Sequence, residues 1–237
     1  MFSQQVVAIV GGTSGIGLQV AQGVVAQGGS VWIGGRSPER LAAALARLGP
    51  RAGGQLLDVT DKATIAAFFA AAPALDHLFT PGASYALGAI DAIDDAAAES
   101  PFRSKFWGQY WAVQQALPKL AAHGSVVLMS GAAGARPIAG AAAYAACNSA
   151  VEGLGRALAL ELAPRRVNTV APGTTDSDLW RGRPAALREA AYASYEAATA
   201  LGRVGTVAEV ADAVLFLMRN GYMTGSTLYP DGGYVLR

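Results

Sequence analysis

Seven residues near the start, Gly11-Gly12-Thr13-Ser14-Gly15-Ile16-Gly17, are of the types that hold a diphosphate. Glycine allows a tight turn and close approach of a phosphate to the backbone, and a helix N-terminus adds free N–H groups and a partial positive charge. The run follows the apolar stretch Val6–Val10 and opens an Ala/Val-rich one, so it lies between a strand and a helix. That context separates a dinucleotide cradle from a glycine-rich structural turn, and it makes Gly11, Thr13, Ser14, Gly15, Ile16 and Gly17 the candidate contacts. A second group stands at Gly34-Gly35-Arg36-Ser37. A site for NAD usually has a carboxylate here for the ribose 2′-hydroxyl; this chain has none, and offers a guanidinium that can pair with a 2′-phosphate. The cofactor expected is NADP(H), with Arg36 and Ser37 as readers; the competing reading is a solvated arginine at a helix start. Asp58 and Val59 follow a third apolar run. Asp58 can accept from an adenine amino group or cap the next helix, for which Asp61 is the better candidate.

These residues need a scaffold, and the pattern predicts one. Strand-like runs at Val6–Val10, Val31–Ile33, Gln55–Leu57, His77–Phe79, Ser125–Met129, Val167–Val170 and Ser226–Leu228 alternate with helical segments. The helices are expected at Gly15–Gln27, from Ser37-Pro38, and at Lys62–Ala71, Pro101–Ala122, Ala142–Leu162 and Val207–Met218. Ser37 as N-cap and Pro38 at the first helical position are a helix start. Such alternation implies an α/β fold of the Rossmann type: a doubly wound parallel sheet of about seven strands, helices on both faces, and ligands at the carboxyl ends of the strands. No linker or repeat divides the chain, so one domain over residues 1–237 is expected. The least regular stretch, Gly173 to Leu201, reads as a lid beside the active site.

The order of the motifs resembles the short-chain dehydrogenase/reductase family over essentially the whole chain. The glycine run matches, with Val10 where a threonine is common. Asp58-Val59-Thr60-Asp61 resembles the adenine-edge motif, and Tyr144 lies in a segment similar to the active-site helix. Arg166-Val167-Asn168-Thr169-Val170-Ala171-Pro172-Gly173 is similar to the strand and turn that meet the nicotinamide. Leu201-Gly202-Arg203-Val204-Gly205, Met223-Thr224-Gly225 and Asp231-Gly232-Gly233 resemble the C-terminal signature. The resemblance implies that Pro172, Gly173, Thr175 and Ser177 meet the nicotinamide, and that the segment around Gly82 lines the cofactor mainly with backbone.

The departures are concentrated where the family does its chemistry. Thr80-Pro81-Gly82-Ala83 replaces Asn-Asn-Ala-Gly, Lys105 replaces the helix asparagine, Gly131 replaces the serine, and Asn148 replaces the lysine four residues after the tyrosine. Of the four catalytic side chains, Tyr144 alone is in place. Residues 144 and 148 share a helix face, so Asn148 can still bond a ribose but brings no charge. A phenol with a pKa of about 10 and no cation beside it stays protonated, which suits an acid and handicaps a base. The lysine and asparagine are exchanged, so Lys105 either restores positive charge near Tyr144 from the opposite wall or extends to solvent. Two functions remain open: an NADP(H)-dependent oxidoreductase that reduces a carbonyl or activated double bond with Tyr144 as proton donor, or a non-catalytic, regulatory NADP(H)-binding protein. Lyase or isomerase chemistry on the same fold is a third.

Composition narrows the partners. A net charge of +1 gives no global attraction to nucleic acid or an anionic membrane, and no apolar run is long enough to span a bilayer. Cys147 alone cannot form an intramolecular disulfide, and the N-terminal residues lack the pattern of a signal peptide, so a cytoplasmic location is expected. His77 and His123 are too isolated for a metal site, and none is expected. Tyr85, Trp107, Trp111, Trp180 and Tyr195 either line an apolar pocket or pack in the core, and Arg136 either meets an acidic substrate or lies on the surface. The expected partners are a small-molecule substrate and, as the family resemblance implies, further copies of the chain in a homotetramer or homodimer.

Overall fold

Alternation along the strands sets the layers of the molecule. A computed structural model describes residues 2–237. In β1 (Val6–Val10), Val7 and Ile9 join one apolar cluster, whereas Ala8 and Val10 join another on the opposite face. The first cluster is closed by α1 (Gly15–Ala26), α2 (Pro38–Leu48) and α9 (Val207–Arg219). The second is closed by α3 (Lys62–Ala71), α5 (Gly108–Ala116) and α6 (Ala142–Glu161). Successive side chains of a strand point to opposite faces, so strands apolar on both sides require helices on both sides.

The remaining main strands are β2 (Ser30–Gly35), β3 (Ala52–Leu56), β4 (Leu75–Thr80), β5 (Leu120–Met129), β6 (Arg166–Val170) and β9 (Thr227–Leu228). The sheet order is β3-β2-β1-β4-β5-β6-β9, with every pairing parallel. The order reverses between β1 and β4, and a crevice opens beyond the carboxyl ends of strands at such a switch. The expected doubly wound architecture is thus the observed one.

Caps fix where the helices begin. The Ser37 hydroxyl accepts from the Arg40 N–H at 3.2 Å, with Pro38 first in α2, and Asp61, not Asp58, caps α3 through the Ala63 N–H at 2.8 Å. Two expectations are corrected. The helix expected over Pro101–Ala122 is instead α4 (Asp95–Pro101), a π-helical stretch Phe102–Trp107, and α5, which stops at Ala116. Pro101 lacks the N–H that would continue the α-helical ladder, and the wider turns follow it. Leu120 pairs with Leu75, so residues 120–122, helical by composition, are drawn into β5. The stretch expected to be irregular holds β7 (Thr175–Asp176), α7 (Asp178–Arg181) and α8 (Ala185–Ala198), with β7 pairing to β8 (Gly205–Thr206). No residue of α8 is fully buried. No helix among the described residues is long and apolar enough to cross a membrane.

Candidate active site

One cleft of about 1530 Å³ lies over the switch point and runs from the glycine turn to Tyr144. At its phosphate end the backbone leaves no room for side chains. Gly11 takes φ +102°, and a Cβ there would stand 2.7 Å from the backbone of Gly82. A Cβ at Gly17 would collide with the Gly11 carbonyl oxygen. The turn is tied down by bonds from the Gly11 and Gly12 N–H groups to Gly34 O, at 2.9 and 3.0 Å, and from the Gly82 N–H to Val10 O at 2.8 Å. Gly82 thereby meets the glycine turn by backbone contact alone, a contact that does not depend on the side chains of Thr80, Pro81 or Ala83. Thr13, Ser14, Gly15 and Ile16 line the cleft beside it, and the Ser14 hydroxyl makes no capping bond.

The first turn of α1 is met by an acid from a distant segment. The Gly15 N–H donates to Asp178 Oδ2 at 3.0 Å, across 163 residues of sequence. Nothing in the local sequence around the glycine turn announces that carboxylate.

Beyond β2, exposed Arg36 lines the cleft together with Arg40, a residue that motif spacing did not single out. Ser37 also lines it, but its hydroxyl is engaged as the α2 cap and donates to Glu39 Oε2 at 2.7 Å. Asp58 and Val59 stand at the next strand end. Asp58 Oδ1 accepts from the Thr60 N–H and hydroxyl at 2.9 and 2.8 Å, shaping the turn.

The far end is built around Tyr144 on α6. Its hydroxyl accepts from the Tyr85 hydroxyl at 3.3 Å, and the two rings stack at 4.3 Å between centroids. The side chain that residue 131 lacks would start in the same place: a Cβ at Gly131 would lie 3.2 Å from the Tyr144 hydroxyl and 3.3 Å from Asn148 Oδ1. Lys105, buried at 3% exposure, comes from the π-helical stretch on the opposite wall. It does not extend to solvent. Its Nζ donates to Asn148 Oδ1 at 2.6 Å and Ser130 O at 2.8 Å, and lies 5.0 Å from the centre of the Tyr144 ring. Lys105 lines the cleft; Asn148 does not, standing fully buried behind Gly131 with no hydrogen-bond partner for Nδ2.

Ser130 turns away from Tyr144, as its place in the strand implies: its hydroxyl donates to Asn148 O at 2.9 Å and Glu152 Oε1 at 3.2 Å. Glu152 also accepts from the Tyr229 hydroxyl at 2.7 Å. The sequence reading missed Glu152, although residues 144, 148 and 152 repeat every fourth position and so share a helix face. Burial pushes the Lys105 ammonium down in pKa, while Tyr85, Cys147 and Glu152 pull it back. Burial pushes the Tyr144 phenol up, and Tyr85 and the Asn148 amide pull it the other way.

The residues expected to meet the nicotinamide also border the cleft. Pro172, Gly173, Thr175 and Ser177 line the cleft, and the Thr175 hydroxyl donates to Gly173 O at 3.1 Å. Tyr85, Trp180 and Tyr195 line it, whereas Trp107 and Trp111 stack on each other along the π-helical stretch and α5. Arg136 lines the cleft, and one guanidinium nitrogen donates to Ala198 O at 3.1 Å and Tyr234 O at 2.7 Å.

Comparison with known proteins agrees with this layout. The family model for enoyl-(acyl carrier protein) reductases matches residues 10–235. The chain is 32% identical over 246 residues to cis-4-hydroxycyclohexanecarboxylate dehydrogenase of Sinomonas cyclohexanicum, covering 98% of this chain and 97% of that one. A shorter match, 39% identical over 113 residues, spans 48% of this chain and 44% of a short-chain dehydrogenase/reductase of Stachybotrys chlorohalonatus. Among solved structures, a small-chain dehydrogenase in complex with NADPH superposes with a TM-score of 0.82 at 30% identity, covering 99% of this chain and all of that one.

Proposed function

Because the chain belongs to the short-chain dehydrogenase/reductase family, we propose that it is an NADP(H)-dependent oxidoreductase that reduces a carbonyl or another activated double bond, with Tyr144 as the proton donor. One observation carries the reading: the Tyr144 hydroxyl and the glycine turn line a single cleft, and a buried lysine stands behind the phenol.

The residues fit such a cofactor. The cradle is closed to any Cβ at Gly11 and Gly17, the first turn of α1 borders the cleft, and no carboxylate ends β2. Gly11 to Gly17 would hold the diphosphate, Arg36 with Arg40 the 2′-phosphate, Asp58 and Val59 the adenine, and Gly82, Pro172, Gly173, Thr175 and Ser177 the nicotinamide half. When bound, the reduced nicotinamide supplies the hydride.

The chain supplies the rest. Tyr144, held protonated by its surroundings, gives its proton to the substrate oxygen, which favours reduction over oxidation. Lys105 brings positive charge from the opposite wall and steadies the phenolate left behind. Asn148 acts through Lys105, as a positioning residue. Segment 173–201 closes over the cleft, and self-association uses exposed apolar side chains such as Trp107 and Tyr110 near α5 and Leu160 on α6.

Fluorescence titration with NADPH and NADH, followed by turnover of a carbonyl panel, tests the reading. The expected result is tighter binding of NADPH and turnover abolished in Tyr144→Phe. Cofactor binding with no turnover of any panel member favours the non-catalytic alternative, in which Gly131 and Asn148 mark lost chemistry.

A further inference from the structure

The serine hydroxyl missing at position 131 leaves Tyr144 without its usual neighbour, yet another hydroxyl occupies that neighbourhood. Tyr85 reaches in from the loop after β4. Its hydroxyl bonds Tyr144 at 3.3 Å and makes no other hydrogen bond among the described residues. The rings are inclined by 27° at a centroid distance of 4.3 Å, which holds the two hydroxyls side by side. Both residues line the cleft.

The backbone around Tyr85 is fastened on each side. The Ser84 N–H donates to Ser104 Oγ at 3.1 Å and the Ala86 N–H to Ser100 Oγ at 2.9 Å. A phenol whose one hydrogen bond among the described residues goes to another phenol, on a loop pinned at both flanks, is placed for something beyond packing.

We infer that Tyr85 is a second catalytic hydroxyl, which donates a hydrogen bond to the substrate oxygen beside Tyr144 and so takes over the work of the absent serine. The inference rests on the reductase reading. In the step it serves, the carbonyl carbon takes a hydride from the reduced nicotinamide, and the carbonyl oxygen takes the Tyr144 proton. Tyr144 then regains a proton from water. Tyr85 neither gains nor loses one; it shares its hydrogen with the oxygen as negative charge develops there. Burial and the neighbouring Tyr144 push its own phenol well above the ordinary value, which suits a donor that must keep its proton.

Tyr85→Phe keeps the stacked ring and removes only the hydroxyl. With NADPH and diacetyl or isatin as probes, kcat should fall by roughly 10²-fold, the usual loss for one oxyanion donor. KM and the NADPH dissociation constant should move little. Gly131→Ser in the Tyr85→Phe background should recover at least about tenfold, because a side chain at 131 starts 3.2 Å from the Tyr144 hydroxyl and 3.4 Å from the unpartnered Asn148 Nδ2. Unchanged kcat in Tyr85→Phe overturns the inference, as does a loss confined to NADPH binding.

A second readout needs no turnover. With fluorotyrosine placed at position 144, the fluorine NMR titration of that phenol should shift to higher pH in Tyr85→Phe, since a donor to the phenolate has been lost. An unmoved Tyr144 overturns the inference; if wild type reduces none of the probes, the reductase reading falls and the inference falls with it, and a shifted titration then establishes only the Tyr85–Tyr144 bond.

Discussion

Lys105 Nζ lies 2.6 Å from Asn148 Oδ1, so the two residues that stand in each other's expected places also bond each other across the site. The exchange is reciprocal, and here it is joined by a direct bond. Changing one partner alone should therefore harm more than changing both. Lys105→Asn strips donors from Asn148 Oδ1 and Ser130 O, at a cost of about 1–3 kcal/mol for buried groups left unpaired. Asn148→Lys sets two buried ammonium groups against each other. Each single variant is expected to lose at least roughly tenfold in kcat, and the double variant to recover most of it; coupling of 0.5–3 kcal/mol, roughly, is usual between touching residues. Losses that simply add would mean the two side chains act independently.

Arg36 should set the choice between nucleotides. A charge-assisted bond to a phosphate contributes roughly 1.5–3 kcal/mol, or about ten- to a hundredfold in affinity. Arg36→Ala should weaken NADPH binding by that factor and leave NADH nearly unaffected. Equal weakening of both would move the residue out of 2′-phosphate recognition, and Arg40→Ala would then be the variant to compare.

Asp178 holds the Gly15 N–H that a diphosphate would use. Its carboxylate and the phosphate carry the same sign and compete for one helix end, where charge interactions amount to about 0.3–1 kcal/mol. Asp178→Asn should tighten NADPH roughly two- to fivefold in a fluorescence titration at low salt, with the gain shrinking as salt rises. Weaker binding instead would show that the carboxylate helps retain the cofactor.

His77 gives the fold a pH dependence of its own. The side chain is buried at 5% exposure, its Nδ1 lies 2.8 Å from Ser125 Oγ, and burial lowers its pKa to about 4 despite the opposing pull of Asp76. The unfolded chain takes up a proton near pH 6.5 that the folded chain refuses until about pH 4. The contribution is thus complete above pH 6.5 and is lost on acidification through that window. Stability should fall by roughly 2 kcal/mol between pH 6.5 and 5 from this group. Urea midpoints should show a smaller drop over this range in His77→Asn than in wild type.

The sequence carried local information faithfully and long-range information poorly. The glycine turn, the Ser37-Pro38 start and the four-residue step from Tyr144 to Asn148 are contiguous or periodic, and the structure keeps all three. Pro101 was misread as a helix start because its missing N–H is equally compatible with the end of α4. The helical composition of residues 120–122 yielded to pairing with β4, a tertiary effect that no window of sequence contains. The Tyr85–Tyr144 contact joins residues 59 apart and the Asp178–Gly15 contact residues 163 apart. Position along the chain says nothing of either, because each pair meets only once the sheet is assembled.

The two ends of the segment over the cleft are fastened very differently. At the C-terminal end of α8, Arg136 bonds Ala198 O and stacks 4.4 Å over the Tyr234 ring, Tyr195 stacks on Tyr234 at 5.0 Å, and the Tyr195 hydroxyl bonds Asp231 O at 2.8 Å. Around α7 the Asp178–Gly15 bond reaches the glycine turn, while the exposed Arg181–Asp176 pair and the Tyr192–Asp176 bond at 3.1 Å lie within the segment itself; exposed charged contacts of this kind contribute about 1 kcal/mol or less. In the proposed lid, the better-fastened side at residues 195–198 would be the hinge, and the α7 side, next to the glycine turn, the edge that moves. Nucleotide would then exchange at the free edge while the hinge side, next to the tyrosines, stays shut to water.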